Sequence, residues 1–94
     1  MDKYELRSKA KTMNPNMNIG KEGLTESVVE EIKRQLRQKK LIKIKMLQNI
    51  ADKVDKKEIA KQLEEKTGGV LIDNVGFTYV LAIKGIVTPK ATKQ

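Results

Sequence analysis

Residues 17–46 read MNIGKEGLTESVVEEIKRQLRQKKLIKIKM, and their periodicities decide the fold. Met17 to Ile19 is a short β-rich run stopped by Gly20. Thr25 stands where an N-cap belongs, ahead of Val28, Val29, Ile32 and Leu36 at helical spacing. Leu24, just before the cap, is placed to pack on Val29 as a hydrophobic staple, and the helix is expected to run to about Lys39. Leu41 to Met46 then alternates with period two, which turns Ile42, Ile44 and Met46 toward the core and Lys43 and Lys45 away from it. A strand, a helix and a strand in succession imply a right-handed crossover between parallel strands. That geometry sets the end of the second strand, with Lys45, beside the Gly20–Gly23 segment and Lys21.

Upstream, Leu6, Ala10 and Met13 recur at i, i+4 and i+7 behind Asp2, a helix over residues 2–13 closed by Pro15. Its other face carries Lys3, Arg7 and Lys11. This helix is expected to run back against the first strand, which would bring Lys3 and Arg7 to the edge that holds Lys21 and Lys45. Downstream, Asp55 to Glu58 has capping-box spacing for a helix through Ile59, Ala60 and Leu63, ended at Gly68 or Gly69. Val70 to Ile72 and Thr78 to Ile83 are β-rich runs, and Asp73-Asn74-Val75-Gly76 reads as the hairpin turn between them. The expectation is an α/β fold of order α-β-α-β-α-β-β. It is a two-layer sandwich in which a mixed four-stranded sheet carries its helices on one face, with the GxxG loop between the first strand and second helix. Residues 1–84 form the domain and residues 85–94 a C-terminal tail.

The 94 residues allow one modest core, and 38% hydrophobic residues spread along the chain argue for folding. Twenty Lys and Arg against 12 Asp and Glu give a net charge of +8, an attraction for polyanions, of which nucleic acid is the commonest. Residues 1–48 hold 12 basic and 6 acidic side chains, a net +6, whereas residues 49–94 hold 8 and 6, a net +2. From Lys33 to Lys45 come seven basic residues with no acid among them, either a solvated face or a phosphate footprint. There is no cysteine, so disulfides and thiolate metal sites are excluded. No window is long and apolar enough for a membrane span or signal peptide, which makes the cytoplasm the expected compartment.

Catalysis is disfavoured by subtraction. Histidine and cysteine are absent, Ser8 and Ser27 lie on helix surfaces without a base in sequence, and the carboxylates are mostly interleaved with lysines. Between the first strand and second helix, Gly20 and Gly23 let the backbone turn sharply, and the N–H groups that open the helix favour an anion beside Lys21. A GxxG loop clamps nucleic-acid backbone in KH domains. A plain glycine turn would leave the same pattern, and this one is not a P-loop, which needs GxxxxGK[ST]. Of the aromatics, Tyr4, Phe77 and Tyr79, the last two read as core or sheet residues, so stacking platforms are poorly supplied. Binding through phosphate contact and shape, with strong salt dependence and little base reading, is therefore expected.

The runs Leu6-Arg7 to Ala10, Ile19-Gly20-Lys21-Glu22-Gly23-Leu24-Thr25-Glu26, Leu41-Ile42-Lys43-Ile44-Lys45, Thr67-Gly68-Gly69, Val75-Gly76 and Val80-Leu81 together carry a resemblance. Over about residues 4–84 the chain resembles the CRM domain, named for chloroplast RNA splicing and ribosome maturation, in its stand-alone prokaryotic form. The resemblance implies an α-β-α-β-α-β-β sandwich similar to the C-terminal domain of a bacterial translation initiation factor, with RNA held by the GxxG loop and neighbouring basic residues. It also implies association with precursors of the large ribosomal subunit; plant relatives carry the domain in group II intron splicing factors. Three departures stand out. Glu22 sits where relatives commonly have Asn, the first helix lacks a histidine seen in many bacterial members, and Ala82-Ile83-Lys84 replaces an ending in Tyr-Arg. Lys84 is placed to serve for that arginine.

The resulting expectation is a monomeric RNA-binding protein, not an enzyme, that assists large-subunit assembly. It needs no cofactor, metal, membrane or small-molecule substrate. The RNA-binding residues are Gly20, Lys21, Gly23, Arg7, Lys45, Lys3, Arg34, Arg37 and Lys84. Lys39 and Lys40, at the opposite edge, read as solvated charges. The rival reading is a basic adaptor that docks acidic partner proteins; adsorption to anionic membrane is disfavoured because no helix has a Trp- or Phe-rich face.

Overall fold

A computed structural model describes residues 2–20, 23–46 and 56–87. Among these residues three helices and four strands follow in the expected order: α1 (Lys3–Lys11), β1 (Met17–Ile19), α2 (Glu26–Lys39), β2 (Leu41–Met46), α3 (Lys56–Thr67), β3 (Val70–Val75) and β4 (Thr78–Ala82). A single 3-10 turn, Lys84–Ile86, comes last. Asp2 caps α1 through a complete capping box with Glu5, and the Thr25 side chain accepts the Val28 N–H at the start of α2. The proposed cap Asp55 lies outside the described residues.

The sheet order is β1-β2-β4-β3. β1 and β2 are parallel, with Asn18 opposite Lys45 and Ile19 opposite Met46, whereas β2–β4 and β4–β3 are antiparallel. The end of the sheet where Ile19, Met46 and Thr78 meet therefore adjoins Gly20; it is called the loop end below. Leu41 and Ala82 mark the far end, where the Ile83 N–H donates to the Lys40 carbonyl at 2.8 Å.

The helices do not share one face. Ile42, Ile44 and Met46 of β2 join Tyr79 and Leu81 of β4 under α2 and α3, in a core with Ile32, Leu36, Ile59 and Leu63. On the opposite face Leu6 and Ala10 of α1 pack with Leu41, Ile72, Val80 and Ala82. The expected two-layer sandwich is thus a three-layer arrangement, with one helix below the sheet and two above it. The physical reason lies in β4, a central strand apolar on both sides: Tyr79 and Leu81 alternate with Val80 and Ala82, and all four are buried. An open lower face would leave Leu41, Ile72, Val80 and Ala82 in water. The same requirement corrects the position of α1, which packs on β2, β3 and β4 rather than along β1. β1 has only three residues, and its buried side chain, Ile19, belongs to the upper core.

Two local corrections matter for the site. β3 continues through Asp73, Asn74 and Val75, and the hairpin turns instead at Gly76-Phe77. Within β3 the register slips: Leu71 faces Leu81, but Asp73 faces Val80, a β-bulge at Ile72. In addition, the packed chain runs beyond residue 84, since Ile86 and Val87 rest against the lower core.

Candidate nucleic-acid interface

The side chains of β2 alternate, so Lys43 and Lys45 both face the lower side with α1. Cross-strand pairing extends this into two rows. Nearest the loop end, Asn18, Lys45, Thr78 and Val75 stand side by side across all four strands. The next row holds Lys43, Val80 and Asp73. α1 covers the far half of this face and leaves the loop-end row open: Asn18, Lys45 and Val75 are exposed. Between the helix and the open row lies a groove of about 310 Å³, lined by Arg7, Ala10, Lys11, Lys43, Asp73, Val75, Thr78 and Val80.

Each expected site residue can now be placed. Gly20 ends β1 at the loop end, and the Gly23 N–H donates to its carbonyl at 3.0 Å. Gly23 has φ +73°, the left-handed region that favours glycine. Lys21 lies outside the described residues. Lys45 is two positions from Gly20 across the β1–β2 pair and points to the lower face. Arg7 lines the same groove, with its Nε 3.8 Å from Asp73 Oδ2, and Lys3 lies one turn before it on α1. Gly20 and Lys45 thus share the β1–β2 corner of the loop end, whereas Arg7 lies across the sheet beside β3, on the face to which Lys45 points.

The remaining three are elsewhere. Arg34 and Arg37 belong to α2, on the upper side. The Arg34 guanidinium is held by Glu31, Nε to Oε1 at 3.1 Å and Nη2 to Oε2 at 2.5 Å, and its Nη1 reaches Gln38 Oε1 at 3.2 Å. Hydrogen bonds from Arg34, then from Gln35, lower the Glu31 carboxyl to about 2. Glu30, four residues before Arg34, pairs instead with Lys33 at 3.7 Å. Arg37 shares a surface hollow with Lys33, Gly68, Gly69 and Ile83, toward the far end. Lys84 follows Ala82 and so lies at the far end as well, with Lys39 and Lys40 on the strand-starting side of β2.

Lys43 is a different case from Lys45. Its Nζ donates to the carbonyls of Ala10 and Met13, each at 3.0 Å, so this cation closes the C-terminal end of α1. By contrast, Lys11 and Lys45 take part in none of the ion pairs formed among the described residues. Sequence reading missed Lys11, Asp73, Val75 and Thr78 as a group. Only the position of α1 and the bulge in β3 bring them together, although the spacing of Lys3, Arg7 and Lys11 already marked one helix face. Among the described residues no three acidic side chains cluster as a metal site would require, and no helix is long and apolar enough to cross a membrane.

Comparison with known proteins places this geometry. The chain is 34% identical over 76 residues to a Bacillus subtilis protein named "Probable RNA-binding protein YqeI", covering 81% of this chain and 77% of that one. It is 37% identical over 79 residues to "Probable RNA-binding protein MJ0652" of Methanocaldococcus jannaschii, 84% of this chain but 58% of the archaeal protein's length. The solution structure of the Staphylococcus aureus protein SAV1595 is similar at a TM-score of 0.74 and 37% identity, over 88% of this chain and 84% of that one. The CRS1 / YhbY (CRM) domain model matches residues 1–82, and the chain belongs to that family.

Proposed function

We propose that this protein is a non-catalytic RNA-binding protein of the cytoplasm that acts as a monomer on precursor ribosomal RNA during assembly of the large subunit. The observation that carries the reading is the meeting of Gly20 and Lys45 at the β1–β2 corner of the loop end, with Arg7 and Lys11 farther along the same sheet face. Phosphate needs donors and positive charge that are not already spent. Lys43 and Arg34 are spent within the fold, while Lys45 and Lys11 are exposed. Gly23 adds support, because its φ of +73° makes the tight turn that sets the N-terminus of α2, whose dipole favours an anion, next to the loop. The relatives' names favour RNA over an acidic protein partner. The family resemblance favours the precursor of the large subunit.

On this reading Arg7, Lys45, Gly20, Gly23 and Lys21 form the primary contact, with Lys3 at its margin. Arg34, Arg37 and Lys84 act as general electrostatic attraction, because they lie on another face or at the far end. Sedimentation of cell lysate through a sucrose gradient tests the assignment. Co-migration with large-subunit precursors that ribonuclease abolishes is expected. A position at the top of the gradient, indifferent to ribonuclease, would contradict it and favour the adaptor reading.

A further inference from the structure

We propose that the groove between α1 and the bulged edge of the sheet is a subsite for one unpaired nucleotide of the bound RNA, selecting a base with an exocyclic amino group, cytosine first. This rests on the RNA-binding reading above and adds base selection, which the sequence alone does not suggest.

Three observations converge on it. The first is the bulge. Ile72 faces the lower core, so in a regular strand Asp73 would face the opposite side; the slip sets Asp73 opposite Val80 and turns it, and Val75 after it, into the groove. The second is the floor. Val75 is 67% exposed, a large apolar side chain standing in water beside Thr78 and next to cations. A nucleobase or ribose face would cover it. The third is the size and charge of the space. About 310 Å³ sits at the small end of ligand sites, and Arg7 and Lys11 rim it on the helix side.

A nucleotide matches this combination part by part. Its phosphate suits Lys11 and Arg7, and its planar base suits the Val75 and Thr78 floor. The Asp73 carboxylate accepts from an amino group, as acidic side chains do from cytosine N4. Asp73 has acceptor capacity to spare: Oδ1 takes the Asn74 N–H at 2.9 Å, and Oδ2 has only a loose approach to Arg7 at 3.8 Å. Uracil presents carbonyl oxygens at the corresponding position and would be repelled. An acidic peptide would suit the cations but meet Asp73 with like charge.

The test uses the full chain, oligocytidylate and oligouridylate of about eight nucleotides, and total ribosomal RNA as the reference ligand. The proposal expects the cytidylate to bind at least about fivefold tighter than the uridylate, the lower end of what one good base contact gives. Asp73→Asn keeps the acceptor for Asn74 and should reduce the preference below about twofold, because the amide accepts from cytosine and donates to uracil. Val75→Glu, at an exposed position, should weaken cytidylate binding by at least about fivefold through like charge near the phosphate. Ribosomal RNA binding with no cytidylate preference, or with a preference that both folded variants leave intact, overturns the subsite and leaves the RNA-binding reading standing. Failure to bind any of the three RNAs overturns both. Equal displacement of the cytidylate by oligoglutamate would show a groove for acidic peptide instead and also overturn the proposal.

Discussion

Lys43 holds Ala10: the lysine Nζ, on a strand at the middle of the sheet, donates at 3.0 Å to the carbonyl of Ala10 and equally to that of Met13. A charge that sequence periodicity assigns to solvent therefore fastens α1 to the sheet and fixes one wall of the groove. Replacing Lys43 by Met keeps the aliphatic stem and removes the ammonium. With two charge-assisted hydrogen bonds lost from a partly buried site, unfolding free energy should fall by about 1–3 kcal/mol. Urea denaturation measures this. Stability within about 0.3 kcal/mol of the parent would mean the contact is dispensable.

Gly69 is a second fixed point. A Cβ there would stand 3.0 Å from Leu36 Cδ1 and 3.3 Å from the Ala82 carbonyl oxygen. The leucine methyl can shift, but the carbonyl belongs to the central strand. Gly69→Ala is expected to cost about 1–3 kcal/mol, as overpacking does, and to show as a lower thermal midpoint. An unchanged midpoint would show that the chain at Gly69 can move away from α2 and β4 without cost.

The pH response of Glu31 has a defined sign. Its carboxyl is lowered to about 2, first by the Arg34 hydrogen bonds and then by that of Gln35. A depressed carboxylate stabilises the fold above its ordinary pKa of 4.5, and that contribution disappears as pH falls from there toward about 2. Carboxyl titration by NMR should find Glu31 well below the ordinary glutamate value, and Arg34→Gln should return it toward that value. Both residues are solvent-facing, so high salt should narrow the difference. A Glu31 midpoint unaffected by Arg34→Gln would contradict this account.

Most of the architecture was legible, because the period-two run Leu41–Met46 and the helical spacing from Val28 to Leu36 are local signals. The placement of α1 was not. Its stripe of Leu6 and Ala10 says that it packs, and only the two-sided apolar character of Tyr79, Val80, Leu81 and Ala82 says where. That signal was present in the sequence. The bulge at Ile72 left none, since Asp73 and Asn74 are ordinary turn residues and register is a property of the pair of strands. Among site residues, pairing of β1 with β2 was enough to join Gly20 and Lys45. The separation of Arg37 and Lys84 from them follows from strand direction, while the engagement of Arg34 with Glu31 rather than with a phosphate depends on side-chain conformation.

The salt dependence of RNA affinity supplies another check. Each phosphate contact removed should lower the slope of log affinity against log salt by about 1, and Lys45→Ala should do so without relaxing any preference among RNAs. Arg37→Ala, on the upper face near the far end, should change the slope by less. Equal effects of the two variants would show that charge alone, not the loop-end arrangement, sets affinity.

The central claim is that the loop end of the sheet is where RNA is held. Its most direct test is the affinity of a Lys21→Ala, Lys45→Ala double variant for ribosomal RNA at physiological salt, with thermal unfolding as the check on folding. The account predicts a loss of at least about tenfold in a folded protein, corresponding to two phosphate contacts. Parental affinity in the folded double variant would contradict it.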